Sequence, residues 1–187
     1  ILLVNDTISS RDFFTLAAPG LIVALIGRLD DLGRVTSAEL RLVGHFICAS
    51  IAVWLATGLP ALPLTESIID FGVAGDIAAV IYLVWMLNLF NFMDGIDGIA
   101  AAEVVFIGLA GALLSLASGH SELASAWAVL TGACLGFLVW NAPPARIFMG
   151  DVGSGFLGFV VAALLLLSVV EGVMSPWVAL LLVATFF

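Results

Sequence analysis

The sequence contains no lysine, and its five arginines are scattered rather than gathered into a basic run. Proteins that bind a nucleic-acid backbone need clustered positive charge, so this composition excludes a nucleic-acid partner. Acidic residues outnumber basic ones by 14 to 5, which gives a formal net charge of −9. We interpret this excess of carboxylates as a sign that the chain binds a cation.

Cysteine is also scarce. The two cysteines, Cys48 and Cys134, lie in separate apolar runs, and neither belongs to a Cys-x-x-Cys pair. The sequence therefore indicates neither a disulfide framework nor a zinc site. We interpret both cysteines as packing residues.

Long apolar stretches dominate what remains, since 63% of residues are hydrophobic and only 10% are charged. A helix crosses a hydrocarbon core of about 30 Å with roughly 20 mainly apolar residues. The sequence predicts an all-α, polytopic transmembrane bundle of about six complete spans and a truncated seventh. These spans cover residues 13–29, 42–59, 76–91, 99–118, 123–140, 155–173 and 177–187. Residues 60–75 are predicted as a loop, with an alternation too weak to indicate a hairpin.

Alternate loops of such a bundle lie on the same side of the membrane, and here these loops collect both arginines and aspartates. The arginines are Arg28, Arg34, Arg41 and Arg146, with only Arg11 opposite. The aspartates are Asp30, Asp31, Asp94, Asp97 and Asp151. Because positively charged loops stay in the cytoplasm, we predict that this side is cytoplasmic.

Five carboxylates at one membrane interface favour a hard divalent cation. Mg²⁺ prefers oxygen ligands, is commonly held by one or two carboxylates, and completes its shell with water and substrate phosphates. We therefore expect Mg²⁺ at this face, with Mn²⁺ as a substitute, together with a phosphate-bearing substrate.

The first acidic stretch ends the first span with the adjacent pair Asp30 and Asp31. Neighbouring side chains on a helix point about 100° apart, so both seldom bind one ion. We expect one of them to act while the other supports it. The alternative interpretation is a solvated helix end with local arginine pairs.

The second stretch, residues 88–98, places Asn88, Asn91 and Asp94 along one stripe of the third span. Two glycines that follow indicate that the helix breaks or bends near Asp97. The amides and carboxylates of this stripe are suited to a metal, a sugar hydroxyl or a phosphate. A polar helix terminus is the alternative.

The third stretch, residues 141–155, is rich in glycine and leads into the sixth span. Glycines followed by a serine at a helix N-terminus form a good anion site. We expect a phosphate at Gly153 and Ser154, with Asp151 on the metal and Arg146 adding a forked contact. The alternative is a glycine-rich turn in which Ser154 is only an N-cap.

Together these stretches resemble the polyprenyl-phosphate N-acetylhexosamine-1-phosphate transferases. The matching segments are Asp30-Asp31, Asn88-x-x-Asn91-x-x-Asp94-Gly95-x-Asp97-Gly98, and the run from Pro144 to Ser154. That superfamily includes the enzymes that start bacterial O-antigen and teichoic-acid chains and the muramoyl-pentapeptide transferase of peptidoglycan synthesis. The amino-acid sequence of residues 91–98 and 143–146 looks closest to the branch of the family that primes O-antigen or other surface polysaccharides.

The resemblance implies that undecaprenyl phosphate attacks the β-phosphate of a UDP-N-acetylamino sugar, which releases UMP and starts a lipid-linked cell-envelope polysaccharide. It leaves open whether attack is direct or passes through a phospho-enzyme. The implied catalytic residues are Asp30, Asp31, Asp94 and Asp97, and the implied metal ligands are Asp151 and Asp94. The implied substrate-binding residues are Asn88, Asn91, Arg146, Gly153 and Ser154. The implied location is the bacterial inner membrane, with the active face cytoplasmic, and a homodimer is compatible with it.

Two departures from the family pattern stand out. Relatives often carry Gln where this chain has His45, which we interpret as a packing residue. The family's His-rich C-terminal motif and its first spans are not found, so we expect these residues to be one catalytic domain from a longer chain.

Two rival functions also use carboxylates within a membrane. A membrane cation or proton transporter would also place carboxylates in the membrane, although its site would lie near the midplane. An intramembrane aspartyl protease would need a Gly-x-Gly-Asp motif, but Phe148 and Met149 precede Gly150 and Asp151.

Overall fold

A computed structural model describes residues 9–34, 37–64 and 67–184. Within these ranges the helices are α1 (Ser10–Asp31), α2 (Ala38–Leu55), α3 (Gly72–Met93), α4 (Ile99–Ala117), α5 (Ser121–Asn141), α6 (Gly150–Val170) and α7 (Pro176–Val183). The first six are long and apolar enough to cross a membrane, which confirms the predicted bundle. The predicted seventh span corresponds to α7, and its residues 185–187 lie outside the described part.

A short hairpin joins α2 to α3. Its strands, β1 (Leu62–Leu64) and β2 (Ser67–Ile69), pair antiparallel with Leu62 opposite Ile69. The sequence analysis predicted only a loop here, because a three-residue strand is too short for its alternation to stand out. At the start of α3, Asp70 Oδ1 accepts a hydrogen bond of 2.8 Å from the Gly72 amide.

Helix α6 forms the centre of the bundle. Its side chains are buried without interruption from Gly158 to Val169, as expected for a helix that is apolar on all sides. Helices α1 and α3 pack against it, α2 lies against α1 and α3, and α4 and α5 form an adjacent antiparallel pair. Trp127 Nε1 of α5 donates a hydrogen bond of 3.2 Å to Ser168 Oγ of α6.

The start of α6 differs from the prediction. The helix begins at Gly150 rather than near residue 155, so Asp151, Gly153 and Ser154 belong to its first turns instead of a loop. Ser154 is not the N-cap, and its Oγ donates to the Gly150 carbonyl oxygen at 3.0 Å. Glycine suits position 150, because its φ of +61° is a left-handed conformation that other residues rarely adopt.

Candidate active site

Three helix ends meet at one end of the bundle. α1 ends at Asp31, α3 ends one residue before its C-cap Asp94, and α6 begins at Gly150. All five aspartates singled out from the sequence therefore lie at this end, as the parity of the spans predicts. Arg11, by contrast, lies at the other end of the bundle. Its Nη2 donates a hydrogen bond of 2.8 Å to Oε1 of Glu171, the residue that follows α6.

A cleft of about 220 Å³ opens between these helix ends. Four helices contribute to its walls, namely α1, α2, α3 and α6. Its polar lining consists of Asp30, Arg41, His45, Asn88, Asn91 and Asp151. The cleft thus collects one residue or more from each of the three predicted stretches.

Arg41 draws two carboxylates together in this cleft. Its Nη1 donates a hydrogen bond to Asp30 Oδ2 and a second, of 3.4 Å, to Asp151 Oδ2. Two carboxylates from different helices thus converge on a single positive charge. This contact could not be predicted from sequence, where Arg41 indicates only the membrane orientation, because Asp151 is 110 positions away along the chain.

Asn91 fixes the other side of Asp151. Its Nδ2 donates to Asp151 Oδ1 at 2.8 Å and to Ser154 Oγ at 3.1 Å. Ser154 is almost fully buried, so it holds this amide from below rather than facing an incoming ligand. Asn88 lies one turn earlier on the predicted stripe of α3, and its Nδ2 donates to the Val84 carbonyl oxygen at 2.7 Å.

Asp31 has a different environment from Asp30. Its two carboxylate oxygens accept hydrogen bonds from the Asp151 and Val152 amides, at 3.1 and 3.3 Å. These amides open α6, where unpaired donors and the helix dipole favour an anion. A phosphate at Gly153 and Ser154 stays a prediction, while the two amides just before them bind a carboxylate of the chain itself.

Asp94 lies beside this group at the end of α3. Burial, and then the negative charge of Asp151, raises the pKa of Asp94 to about 6. Burial and the neighbouring carboxylate make Asp94 harder to ionise, and a nearby cation would favour its ionised form. Asp94 and Asp151 therefore share a region where positive charge is favoured.

Asp97 and Asn141 form a separate contact beside the cleft. Asp97 Oδ2 accepts a hydrogen bond of 2.9 Å from the Ala145 amide. The buried Asn141 side chain accepts from the Gly98 amide at 3.0 Å and donates to the Ile147 carbonyl oxygen at 2.9 Å. Both side chains hold the turn after α3 against the loop before α6. Asn141 was not predicted as a site residue, although an amide side chain at the end of an apolar span was a usable signal.

Arg146 and Gly153 flank the cleft without lining it. The Arg146 guanidinium lies 5.9 Å from the centre of the Trp140 ring, a cation–π distance, and the side chain is exposed. Gly153 lies in the first turn of α6 directly against the Met149 side chain. The structure thus brings Asp30, Asn91 and Asp151 together and leaves these two at the rim.

His45 lies on the cleft wall rather than only in the core. Its Nδ1 atom is buried and has no hydrogen-bond partner among the residues that the structure describes. His45 thus lines the same cleft as Asn88 and Asp30, which its interpretation as a packing residue did not include.

The donors at the cleft suit a divalent cation, although the described ranges hold no cluster of three or more His, Cys, Asp or Glu ligands. Mg²⁺ needs only one or two carboxylates, because water and substrate phosphates complete its shell. Asp30 and Asp151 already converge on one cationic nitrogen, and Asp94 adds a third carboxyl group close by. The residues present therefore fit such an ion once substrate oxygens are added.

Comparison with known proteins gives a consistent family. Residues 13–169 match glycosyl transferase family 4. A phospho-N-acetylmuramoyl-pentapeptide-transferase of Moorella thermoacetica is 36% identical over 170 residues, covering 80% of this chain and 54% of the relative. Those of Desulforamulus reducens and Bacillus licheniformis are 32% and 33% identical, covering 87% and 79% of this chain and 53% and 49% of the relatives. The chain spans about half the length of these relatives. With most of its described residues inside the matched region, the chain belongs to glycosyl transferase family 4.

Proposed function

We propose that this protein transfers a UDP-activated N-acetylamino-sugar 1-phosphate to undecaprenyl phosphate and releases UMP. The observation that carries the proposal is the convergence of Asp30, Asp151 and Asn91 around Arg41 in a cleft at one end of the bundle. The named relatives are phospho-N-acetylmuramoyl-pentapeptide-transferases, which supports transfer of a phosphorylated amino sugar.

Phosphoryl transfer of this kind depends mainly on positioning and on neutralising charge. A lipid phosphate approaching from the bilayer would meet Asp30 and Arg41 at the cleft. We assign Asp30 to activate the lipid phosphate for attack on the sugar-linked phosphate of the donor. The Arg41 guanidinium balances the charge that accumulates there.

We assign Asp151 and Asp94 as the carboxylates that hold a divalent cation, Mg²⁺ or Mn²⁺. When bound, the cation neutralises charge on the phosphates of the donor. Asn91 orients Asp151 through its 2.8 Å hydrogen bond, and Asn88 offers a polar contact to the same substrate one turn away.

The size of the cleft indicates which part of the donor it encloses. At about 220 Å³ it is smaller than the roughly 300–1,000 Å³ typical of a pocket for a drug-sized ligand. We therefore propose that it holds phosphate groups, while the sugar and uridine lie on the neighbouring loops. We assign Arg146, which is exposed on the loop before α6, to contact a donor phosphate from outside the cleft. Asp97 supports that loop through its hydrogen bond from the Ala145 amide.

The distribution of arginine supports a membrane orientation. Arg28, Arg34, Arg41 and Arg146 lie at the end of the bundle that holds the cleft, and Arg11 lies at the other end. Because arginine-rich ends face the cytoplasm, we propose that the protein sits in a bacterial inner membrane with the cleft on the cytoplasmic side. UDP-linked donors would reach it from there.

The transporter alternative has less support. An ion path would need polar groups near the membrane midplane. The middle of the central helix instead carries an unbroken buried apolar run from Phe159 to Leu167. The carboxylates gather at the helix ends rather than halfway along them.

The test is UMP release by the full-length protein in detergent, with undecaprenyl phosphate, Mg²⁺ and a panel of UDP-linked donors. UDP-N-acetylmuramoyl-pentapeptide represents the peptidoglycan reaction, and UDP-N-acetylhexosamines represent the O-antigen type of reaction suggested by residues 91–98. We expect release that needs both the lipid and the metal. Absence of release with every donor would refute the proposal, and the donor that works distinguishes the two branches.

A further inference from the structure

The adjacent aspartates at the end of α1 make different contacts. Asp30 lines the cleft and accepts a hydrogen bond from Arg41. Asp31, one position on, points about 100° away and instead accepts from the first amides of α6. We infer that Asp31 is a positioning residue: it holds the start of α6, and thereby Asp151, at the edge of the cleft while Asp30 faces the substrate.

The contact between Asp31 and α6 depends on a helix start that lacks its own cap. Met149, the N-cap residue of α6, provides no side-chain hydrogen bond to the helix amides. The two amides that Asp31 binds belong to Asp151 itself and to Val152. The Asp31 carboxylate of α1 therefore caps the start of α6, and it does so at Asp151, the residue whose side chain has to be positioned.

Two glycines make room for this contact. A side chain at Gly150 would begin 2.9 Å from Asp31 Oδ2, and one at Gly27 would begin 2.5 Å from the Asp151 carbonyl oxygen. Gly27 lets the α1 backbone approach the α6 backbone, because a Cβ atom there would meet backbone atoms that cannot turn aside. Gly150 leaves room for the Asp31 carboxylate itself. The geometry is thus built on both helices rather than on the aspartate alone.

The two aspartates of the Asp30-Asp31 motif thus have different tasks. Asp30 acts on the substrate, whereas Asp31 acts through Asp151 and touches no reacting atom. Because Asp31 already accepts from the Asp151 and Val152 amides, those two donors are not available to a substrate phosphate. The step that assigns Asp151 to the cation rests on the proposed function, but the anchoring of α6 does not.

The first test measures amide hydrogen exchange in the full-length protein in detergent. In Asp31→Asn the charge is lost and only one acceptor remains, so exchange in a peptide covering residues 150–154 should rise by about tenfold. Exchange in the middle of α6 should stay at the wild-type rate. Asp70→Asn is the matched control, since it removes a carboxylate that accepts from the Gly72 amide of α3 at the far end. Unchanged exchange at residues 150–154 in Asp31→Asn would overturn the inference.

The second test separates positioning from chemistry through the Mg²⁺ dependence of UMP release. Asp31→Asn should need several-fold more Mg²⁺ for half-maximal rate and recover most of its kcat at saturating Mg²⁺. Asp31→Glu, which keeps two acceptors, should restore both the exchange rate and the Mg²⁺ requirement toward wild type. Loss of turnover at every Mg²⁺ concentration, with exchange unaltered, would assign Asp31 to the chemistry instead. If wild type releases no UMP, the proposed function fails, while the exchange result still decides whether Asp31 anchors α6.

Discussion

Replacement of Gly27 by alanine probes the contact on which the site is built. Gly27 lies in α1 where that helix meets the start of α6, and the new Cβ atom would lie 2.5 Å from the Asp151 carbonyl oxygen. It would also lie 2.7 Å from the Asp151 carbonyl carbon and 2.8 Å from Val152 Cα. All three atoms are backbone, so no side chain can turn aside and the helices must separate.

The size of the effect follows from these distances. Ordinary contact begins near 3.4 Å, so the closest pair must part by about 0.9 Å. The hydrogen bonds from the Asp151 and Val152 amides to Asp31, now 3.1 and 3.3 Å, would then exceed 3.5 Å. Overpacking costs about 1–3 kcal/mol, and loss of hydrogen bonds to an exposed carboxylate adds about 1 kcal/mol. We expect Gly27→Ala to lower the free energy of unfolding by about 2–4 kcal/mol.

The assay is equilibrium unfolding in mixed detergent micelles, followed by tryptophan fluorescence. Gly136→Ala is the matched control, because Gly136 lies within α5 on an exposed face with nothing within 4 Å of a new Cβ atom. That change should leave the free energy of unfolding unaltered or raise it by up to about 1 kcal/mol, through helix propensity. Equal stabilities of the two variants would refute the packing argument.

Three further predictions follow from the same site. Asp151→Asn should abolish metal-dependent UMP release without loss of folding, because an amide is a poorer ligand for a hard cation; normal release at ordinary Mg²⁺ would remove Asp151 from the metal site. Because the pKa of Asp94 is raised from 3.8 to about 6, the folded protein holds more protons than the unfolded chain between those pH values. Stability of the metal-free protein should therefore fall as pH rises through that window. In Asp94→Asn this fall in stability should disappear when thermal unfolding is measured with a chelator present. The variant should then be as stable as wild type near pH 4 and more stable above pH 6. Parallel curves of stability against pH for the two proteins would contradict the assignment. Asn141→Ala leaves two backbone groups without a partner and should lower the free energy of unfolding by about 1–3 kcal/mol in the same assay. Asn88→Ala, at an exposed position, should change it little. Similar losses of stability in the two variants would show that burial of Asn141 is not what matters.

The span pattern was predictable from the sequence because a membrane leaves few choices for an apolar chain. Runs of about 20 apolar residues must be helices, and two crossings return the chain to the same side. Asp30, Asp94 and Asp151 therefore had to lie at one end of the bundle wherever each helix began. The position of Asn88 and Asn91 on one stripe followed from helical spacing alone.

The contacts within the site were not predictable, because they depend on how the helices rotate and approach. Arg41 reaches Asp151 across 110 positions of sequence, and no periodicity records that distance. Local propensity favoured a loop at residues 150–154, where glycines are frequent, but this segment is helical and its first amides donate to a carboxylate from α1. The same limit applies to Asn141, whose partners come from two different loops.

The central place of α6 has a consequence for biogenesis. Chains emerge N-terminus first, so α1, α2 and α3 enter the membrane before the helix that will lie against them has been made. Until residues 150–170 arrive, Asp31 has no α6 amides to bind and Asn91 has no Asp151 to orient. A ribosome stalled before α6 would leave the early helices without the wall that α6 adds to the cleft. The cleft therefore forms only after α6 has packed against the helices that were inserted before it.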